Sequence, residues 1–223
     1  SEYFAGKSAE DLAITTRAYY EEIVVGAHFG DPVAKINRDK KVVFTEGGQQ
    51  FSYDKLVLAT GSYPFVPPVP GHDQDGCLTY RTIDDLGEIE AWAKKSKKGV
   101  VVGGGLLGLE CANALQNLGL EAHVVEFAPS LMGVQLDAGG SGMLRRKIEA
   151  LGVNVHTSKA TQNIELLEDE EHRFRMQFSD DEDFLDTDMI VFSAGIRPYD
   201  QLARDAGLAL GERGGIELSL IHI

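Results

Sequence analysis

Cysteine is nearly absent. Cys77 and Cys111 are the only two in 223 residues, and they stand in no CxxC or CxxxxC pattern. A redox disulfide or a thiolate-ligated metal centre therefore has no support within the chain. Cys111 falls on what reads as an apolar helix face, where it is a small buried hydrophobe. Basic residues are also short: 21 Lys and Arg against 35 Asp and Glu leave a net charge of −14. That charge opposes a phosphate backbone and argues against a nucleic-acid partner. Long apolar runs are missing too. No stretch approaches the roughly 20 residues that a bilayer-spanning helix needs. No charged-then-apolar leader opens the chain, so a cytoplasmic protein without a membrane partner is expected. His28, His72, His123, His156, His172 and His222 are scattered without ligand spacing, so no metal site is read from them.

What remains is an ordinary globular composition, 43% hydrophobic and 25% charged, on a chain long enough for one large domain or two small ones. Residues 1–26 read as polar and aromatic helical turns ending in Ile23-Val24-Val25. Val33 to Ile36 and Val42 to Phe44 read as strands, with a turn at Gly47-Gly48. Lys55-Leu56-Val57-Leu58-Ala59 reads as a buried parallel strand that stops at Thr60-Gly61. Pro64 to Pro70 is a connector, because proline suits neither a central strand nor a helix interior. Thr82 to Ala93 reads as a helix with Thr82 as N-cap before Asp84-Asp85. A βαβ pattern follows: strand Val100–Val102, helix Leu106–Leu118 ended by Gly119, strand Ala122–Val125, helix Leu144–Leu151 closed by Gly152, and strand Val153–Val155. From Thr161 to Asp186 alternating strands with acidic turns (168–171 and 179–183) predict an antiparallel meander. Met189–Phe192 is one more apolar strand. The fold class is α/β, with a doubly wound nucleotide domain over about 81–200.

The chemistry is carried by Gly103-Gly104-Gly105-Leu106-Leu107-Gly108. A lone GxGxxG is weak, but this one follows a valine-rich strand and opens a helix, as a dinucleotide fingerprint requires. Gly103 permits the tight turn, Gly105 lets backbone approach a pyrophosphate, and Gly108 lets helix pack on sheet. The helix N-terminus offers N–H groups and a positive dipole end to phosphate. Glu126 ends the next strand 18 residues after Gly108, where it can accept from ribose hydroxyls. Phe127, not a cation, follows it, so NAD(H) is favoured over a 2′-phosphorylated cofactor. From this motif alone, a methyltransferase using S-adenosylmethionine remains a rival. Two further strand ends, Leu58 to Ser62 and Phe192 to Ile196, carry small-residue turns that let a planar ring approach the backbone. Arg145-Arg146-Lys147 reads as a solvated helix face, and Trp92 as a packing aromatic.

Taken together, Ala59-Thr60-Gly61, Tyr80-Arg81-Thr82, Gly103 through Glu110, Glu126 through Met132 and Gly195-Ile196-Arg197-Pro198 resemble the two-dinucleotide flavoprotein family of pyridine-nucleotide oxidoreductases. That family includes ferredoxin and rubredoxin reductases and NADH oxidases. Tyr53-Asp54-Lys55-Leu56, Gly61 to Pro64, Tyr80 to Leu86, Val125 to Pro129, Leu144 to Glu149 and Val155 to Lys159 narrow the likeness. They resemble the large subunits of NADH-dependent, assimilatory-type nitrite reductases, from Tyr3 to about Ile216.

The resemblance implies FAD and NAD(H) as cofactors, with a Rossmann-type NAD domain inserted in an FAD domain. Val33 would lie against the FAD adenine, Ala59, Thr60 and Gly61 near its diphosphate, and Arg81 on the FAD. Gly103, Gly105, Leu106, Leu107, Gly108 and Glu126 would hold NAD, with Gly195 at the nicotinamide end. Glu110 would be the catalytic carboxylate near the nicotinamide; the lysine that pairs with it in several relatives has no counterpart in Ser1-Glu2-Tyr3. The expected division is a partial FAD-binding domain at 1–80, an NAD(H)-binding domain at 81–200, and a return toward the FAD domain at 201–223. The family's own strand–GxGxxG–helix for FAD is not found, and Glu217 to Ile223 does not match its closing FAD segment. A fragment with a truncation or foreign junction at 217–223 is therefore expected, with siroheme and iron–sulfur centres only in the remainder of the full-length protein.

Three functions follow. The first is an NADH-to-FAD electron-input module of a nitrite reductase that takes nitrite to ammonia, its electron acceptor lying in downstream domains. The second is an FAD-dependent NADH:rubredoxin or ferredoxin reductase, or an NADH oxidase. The third is a non-catalytic NADH-sensing module. Homo-oligomerisation is left open.

Overall fold

A computed structural model describes residues 2–168, 171–179 and 183–219. Parts of the two expected acidic turns (169–170 and 180–182) and of the 217–223 tail (220–223) lie outside these residues, as does His222. After a 3-10 turn at Tyr3–Ala5 come α1 (Arg17–Glu22), β1 (Val33–Asn37), β2 (Val42–Thr45), β3 (Gln50–Ser52), β4 (Ser62–Pro64) and β5 (Cys77–Thr79). Then follow α2 (Ile83–Ala93), β6 (Lys98–Val102), α3 (Leu106–Asn117), β7 (Glu121–Glu126), α4 (Ala138–Ala150) and β8 (Asn154–Thr157). The chain continues through β9 (Thr161–Leu166), β10 (Phe174–Phe178), β11 (Phe184–Thr187), β12 (Met189–Phe192), β13 (Ile196–Pro198) and α5 (Gln201–Asp205). Two compact units result, one of Ser1–Leu12 with Pro64–Gly195 and one of Ala13–Tyr63 with Ile196–Ile223.

The first unit is built on a five-stranded sheet in the order β5-β12-β6-β7-β8, with every neighbouring pair parallel. Its strands are apolar almost without a break because both faces are covered. Alternate residues point to opposite sides. Val101, Val124 and Val191 pack with Ile89 of α2 and with Leu109, Ala112 and Leu115 of α3. Val100, Val102, Val125 and Phe192 pack with Ile164, Phe174 and Met176 of the antiparallel sheet β11-β10-β9. Helices thus cover one face and the meander covers the other. Residues 64–79 belong here rather than with the chain before them, because β5 is an edge strand of the sheet, paired with β12.

Thr82 caps α2 through a full capping box: its hydroxyl accepts from the Asp85 N–H, and the Asp85 carboxylate accepts from the Thr82 N–H at 2.8 Å. α4 starts six residues earlier than its apolar pattern implies, at Ala138 under the N-cap Asp137. Gly139, Gly140 and Gly142 in its first turns mask the helix in the sequence. Arg145 on this helix is more than a solvated charge. It donates to Glu149 at 2.8 Å and to the Val155 carbonyl at 3.0 Å, tying α4 to β8. Trp92 carries Lys95 and Arg173 over its ring, at 3.4 and 5.3 Å from the centroid.

The second unit holds the antiparallel sheet β1-β2-β3, the ribbon of β4 with β13, and the short helices α1 and α5. The run 55–59 is not the buried strand its apolar pattern predicts. It forms no strand, Val57 is 86% exposed, and Leu56 through Thr60 line a cavity instead. An apolar run becomes a buried strand only where a neighbour offers hydrogen bonds and cover, and none among the described residues pairs with it.

Candidate functional site

In the first unit a cleft of about 570 Å³ opens at the carboxyl ends of the parallel strands, the usual position for a ligand in an open α/β sheet. The glycine turn after β6, Glu126 and Phe127 after β7, Lys159 to Thr161 after β8, and Ser193 to Gly195 after β12 line it, together with Phe65 and Pro67. The three fingerprint glycines answer to different constraints. Gly103 has φ of +125°, and a Cβ there would lie 2.3 Å from the Ser193 carbonyl oxygen. At Gly108 it would lie 2.0 Å from the Gly103 carbonyl oxygen. Both are demanded by packing of the turn against its own neighbours. A Cβ on Gly105 would meet nothing within 4 Å, and Gly105 lines the cleft. Its lack of a side chain serves no packing need and leaves space at the start of α3. The first amides of that helix have no intrahelical acceptor, and its N-cap residue, Gly105, has no side chain to supply one.

Glu126 is held in place from two sides. Its Oε2 accepts from the Gly104 N–H at 2.5 Å and its Oε1 from the Ala128 N–H at 2.7 Å. The carboxylate is thereby fixed over the glycine turn at the mouth of the cleft. Gly195, with φ of +103° and open space where a Cβ would be, lines the same cleft. The structure thus brings Gly103, Gly105, Glu126 and Gly195 into one cavity. Leu106 and Leu107 stand exposed at the start of α3, outside the lining. Glu110 lies one turn further along α3, exposed, and accepts from the Tyr80 hydroxyl at 3.3 Å. It is also outside the lining, as is Arg81, whose N–H donates to Asp85 in the cap of α2. Sequence reasoning missed Phe65, Pro67, Lys159, Ala160 and Thr161, which reach the cleft from loops far apart in the chain.

In the second unit Val33, Ala59 and Thr60 line one cavity of about 850 Å³ with Leu56, Val57 and Leu58. Gly61 lies beside it, with φ of +69°, and its carbonyl accepts from the Tyr199 N–H at 3.0 Å. The Thr60 hydroxyl donates to the Tyr199 carbonyl at 2.7 Å.

Neither thiol is poised to react. Burial pushes Cys77 up to about 11 and Cys111 up to about 12, so both stay protonated at neutral pH. Two of the scattered histidines lie on adjacent strands, β7 and β8, and meet there. His123 is buried, and its Nδ1 lies 2.9 Å from His156 Nε2, with the rings stacked 9° from parallel. Among the described residues no group of three His, Cys, Asp or Glu is arranged to hold a metal ion, and no helix is long and apolar enough to cross a membrane.

A parallel sheet with a glycine-rich turn and an acidic residue at adjacent strand ends defines a dinucleotide-fold protein. The chain matches the pyridine nucleotide-disulphide oxidoreductase family over residues 6–219, and it belongs to that family. It is 57% identical to the NAD(P)H nitrite reductase large subunit of Klebsiella oxytoca, over 97% of this chain and 22% of that protein. It is 51% identical to the NADH nitrite reductase large subunit of Escherichia coli K12, over 98% of this chain and 26% of that one. The chain therefore spans about a quarter of the length of these relatives. Among solved structures, a ferredoxin reductase from Rhodopseudomonas palustris superposes with a TM-score of 0.87 at 25% identity, covering 95% of this chain and 52% of that one. Both of the chain's cysteines are free thiols in this fold.

Proposed function

We propose that the cleft of the first unit binds NADH and that the chain is the NADH-to-FAD electron-input part of a nitrite reductase large subunit. Nitrite would be reduced in portions of such a protein that this chain does not cover. The observation that carries the reading is the pairing of Gly105 with Glu126. One leaves open space at an uncapped helix start, where a pyrophosphate can meet backbone N–H groups. The other presents a fixed carboxylate to a ribose diol. The Ser193 to Gly195 turn offers flat backbone to the nicotinamide end. Val33, Ala59 and Thr60, which share the second unit's cavity, would hold part of the FAD, with Gly61 beside them and Arg81 as a further contact. Held by these residues, FAD would supply a hydride acceptor for NADH, while the protein's own residues bind and orient the two groups.

Glu110 is proposed as the carboxylate that acts beside the nicotinamide. This role rests on the family resemblance; the side chain stands on α3 outside the cleft lining and accepts from the Tyr80 hydroxyl. The identity of 51–57% to nitrite reductase subunits favours this function over a stand-alone ferredoxin reductase, which is supported by fold at 25% identity. Calorimetric titration of the 223-residue chain tests the proposal. Saturable binding of NADH, tighter than that of NADPH, is expected. Absence of NADH binding by a folded chain would overturn it.

A further inference from the structure

We propose that Phe127 is the platform on which the base of the dinucleotide stacks; the inference rests on the nucleotide-binding reading above and extends it from the diphosphate and ribose to the adenine ring. Phe127 follows Glu126 at the end of β7 and lines the same cleft. Its apolar neighbours Val125 and Leu131 are each 1% exposed, whereas Phe127 is 78% exposed and packs in neither apolar core of the first unit. A large ring left in water on the wall of a cleft is surface that a ligand can cover.

The backbone that carries the ring is held on both sides. Before it, the Glu126 carbonyl accepts from the Lys159 N–H at 3.0 Å. After it, the Ala128 N–H donates to Glu126 Oε1 at 2.7 Å, and the Ala128 carbonyl accepts from the Ser158 N–H at 2.9 Å. The exposed ring therefore stands on a fixed mount, and the carboxylate that faces a ribose diol also ties down the peptide beyond the ring. The adenine is joined directly to that ribose, so a ribose held by Glu126 brings the base to the next residue along the wall. A phenyl ring offers a flat apolar face and loses little side-chain freedom in doing so, because two torsions define it. Stacking of this kind uses the face of the base rather than its hydrogen-bonding edge. Phe127 thereby favours a ligand that carries a base beside the ribose, a dinucleotide, over nicotinamide mononucleotide.

The test is titration of NADH and of ADP into the full chain as wild type, Phe127→Ala, Phe127→Leu and Phe127→Trp. ADP carries the base, ribose and diphosphate without the nicotinamide. Phe127→Ala should weaken both ligands by the same factor, about tenfold, the usual effect of removing an aromatic ring from under a base. Phe127→Trp should restore both affinities; Phe127→Leu, apolar but without a flat face, should not. The variants should melt with wild type, because the side chain is exposed. The inference is overturned if Phe127→Ala keeps wild-type affinity for NADH, or if Phe127→Leu binds as tightly as wild type. It is equally overturned if Phe127→Ala weakens NADH but not ADP, which would move the ring to the nicotinamide end, or if wild type takes NADH and not ADP. Failure of wild type to bind either nucleotide would instead overturn the nucleotide-binding reading itself.

Discussion

In the first unit Phe174, Phe192, Ile89 and Leu115 lie wholly out of solvent between covering layers. In the second, the buried hydrophobic residues among those described are Ile36, Val43 and Ala203, while Ile14, Val24 and Val57 are more than 80% exposed. The second unit is held instead by directed hydrogen bonds, such as Arg38 to the Ala206 and Gly207 carbonyls at 3.2 and 3.1 Å. Such bonds contribute about 1 kcal/mol each, less than a buried large side chain. The two cavities differ in the same sense. The first unit's cleft is framed by backbone at strand ends, so its shape is fixed by the sheet. The second unit's cavity is walled by apolar side chains of an unpaired segment, so a ligand there would bury surface that is now exposed. One cavity is thus shaped by the backbone of a buried sheet, and the other by exposed apolar side chains.

Core truncation should break the symmetry between the units most strongly. Phe174→Ala is expected to cost about 3–5 kcal/mol in denaturant unfolding. Val57→Ala, on an exposed side chain, should change stability by less than about 0.5 kcal/mol. Comparable losses from the two would mean that the second unit has a core of its own. Within the first unit, the glycine turn sharpens the contrast between residues that hold the fold and residues that leave space. Gly103→Ala places a methyl against the Ser193 carbonyl on left-handed backbone and should destabilise by roughly 2–3 kcal/mol. Gly105→Ala should leave the melting temperature nearly unchanged and weaken NADH about tenfold or more. A Gly105→Ala chain with full affinity would remove the pyrophosphate from that turn.

Most of the first unit is legible in the sequence because its signals are local. The valine run of β6, the capping box at Thr82 and Asp85, and the glycines closing α3 and α4 each act within a few residues. The fingerprint and Glu126 are legible for the same reason, being set by a turn and one strand length. What the sequence hides is long-range. Lys159 reaches the cleft through a contact between the ends of β7 and β8, which no spacing rule encodes. His123 and His156 come together only because parallel pairing aligns β7 with β8. The run 55–59 misleads for the opposite reason: its composition records a preference for cover, and cover depends on what lies beside it. The start of α4 is missed because three glycines outweigh local propensity, while tertiary packing and the Asp137 cap win.

The smallest expected effect concerns that histidine pair, and it separates the first unit's acid sensitivity from that of its carboxylates. Burial holds both His123 and His156 below the ordinary histidine value of 6.5; at His123 the Glu121 carboxylate opposes this, and the charge of Lys98 adds to it. At His156 the neighbouring His123, Arg145 and Lys159 act in the same direction while Asp183 opposes them. With both rings neutral the bonds are satisfied: His123 Nε2–H donates to Glu121, 2.9 Å away, and His156 Nε2–H donates to His123 Nδ1. A second proton on the pair would set donor against donor. Because the unfolded chain takes up these protons first, stability is full above pH 6.5 and declines as pH falls from 6.5 toward the depressed folded values. Glu121 and Asp186 are held low by hydrogen bonds from His123 and Arg175, so their contributions are lost only below their ordinary values of 4.5 and 3.8. Between pH 6.5 and 4.5 the melting temperature should therefore drop by a few degrees in wild type, and by less in His156→Gln, where one of the two titrating rings is gone. An identical slope in the two proteins over that interval would mean that the pair carries no proton linkage, and that β7 and β8 meet there by packing alone.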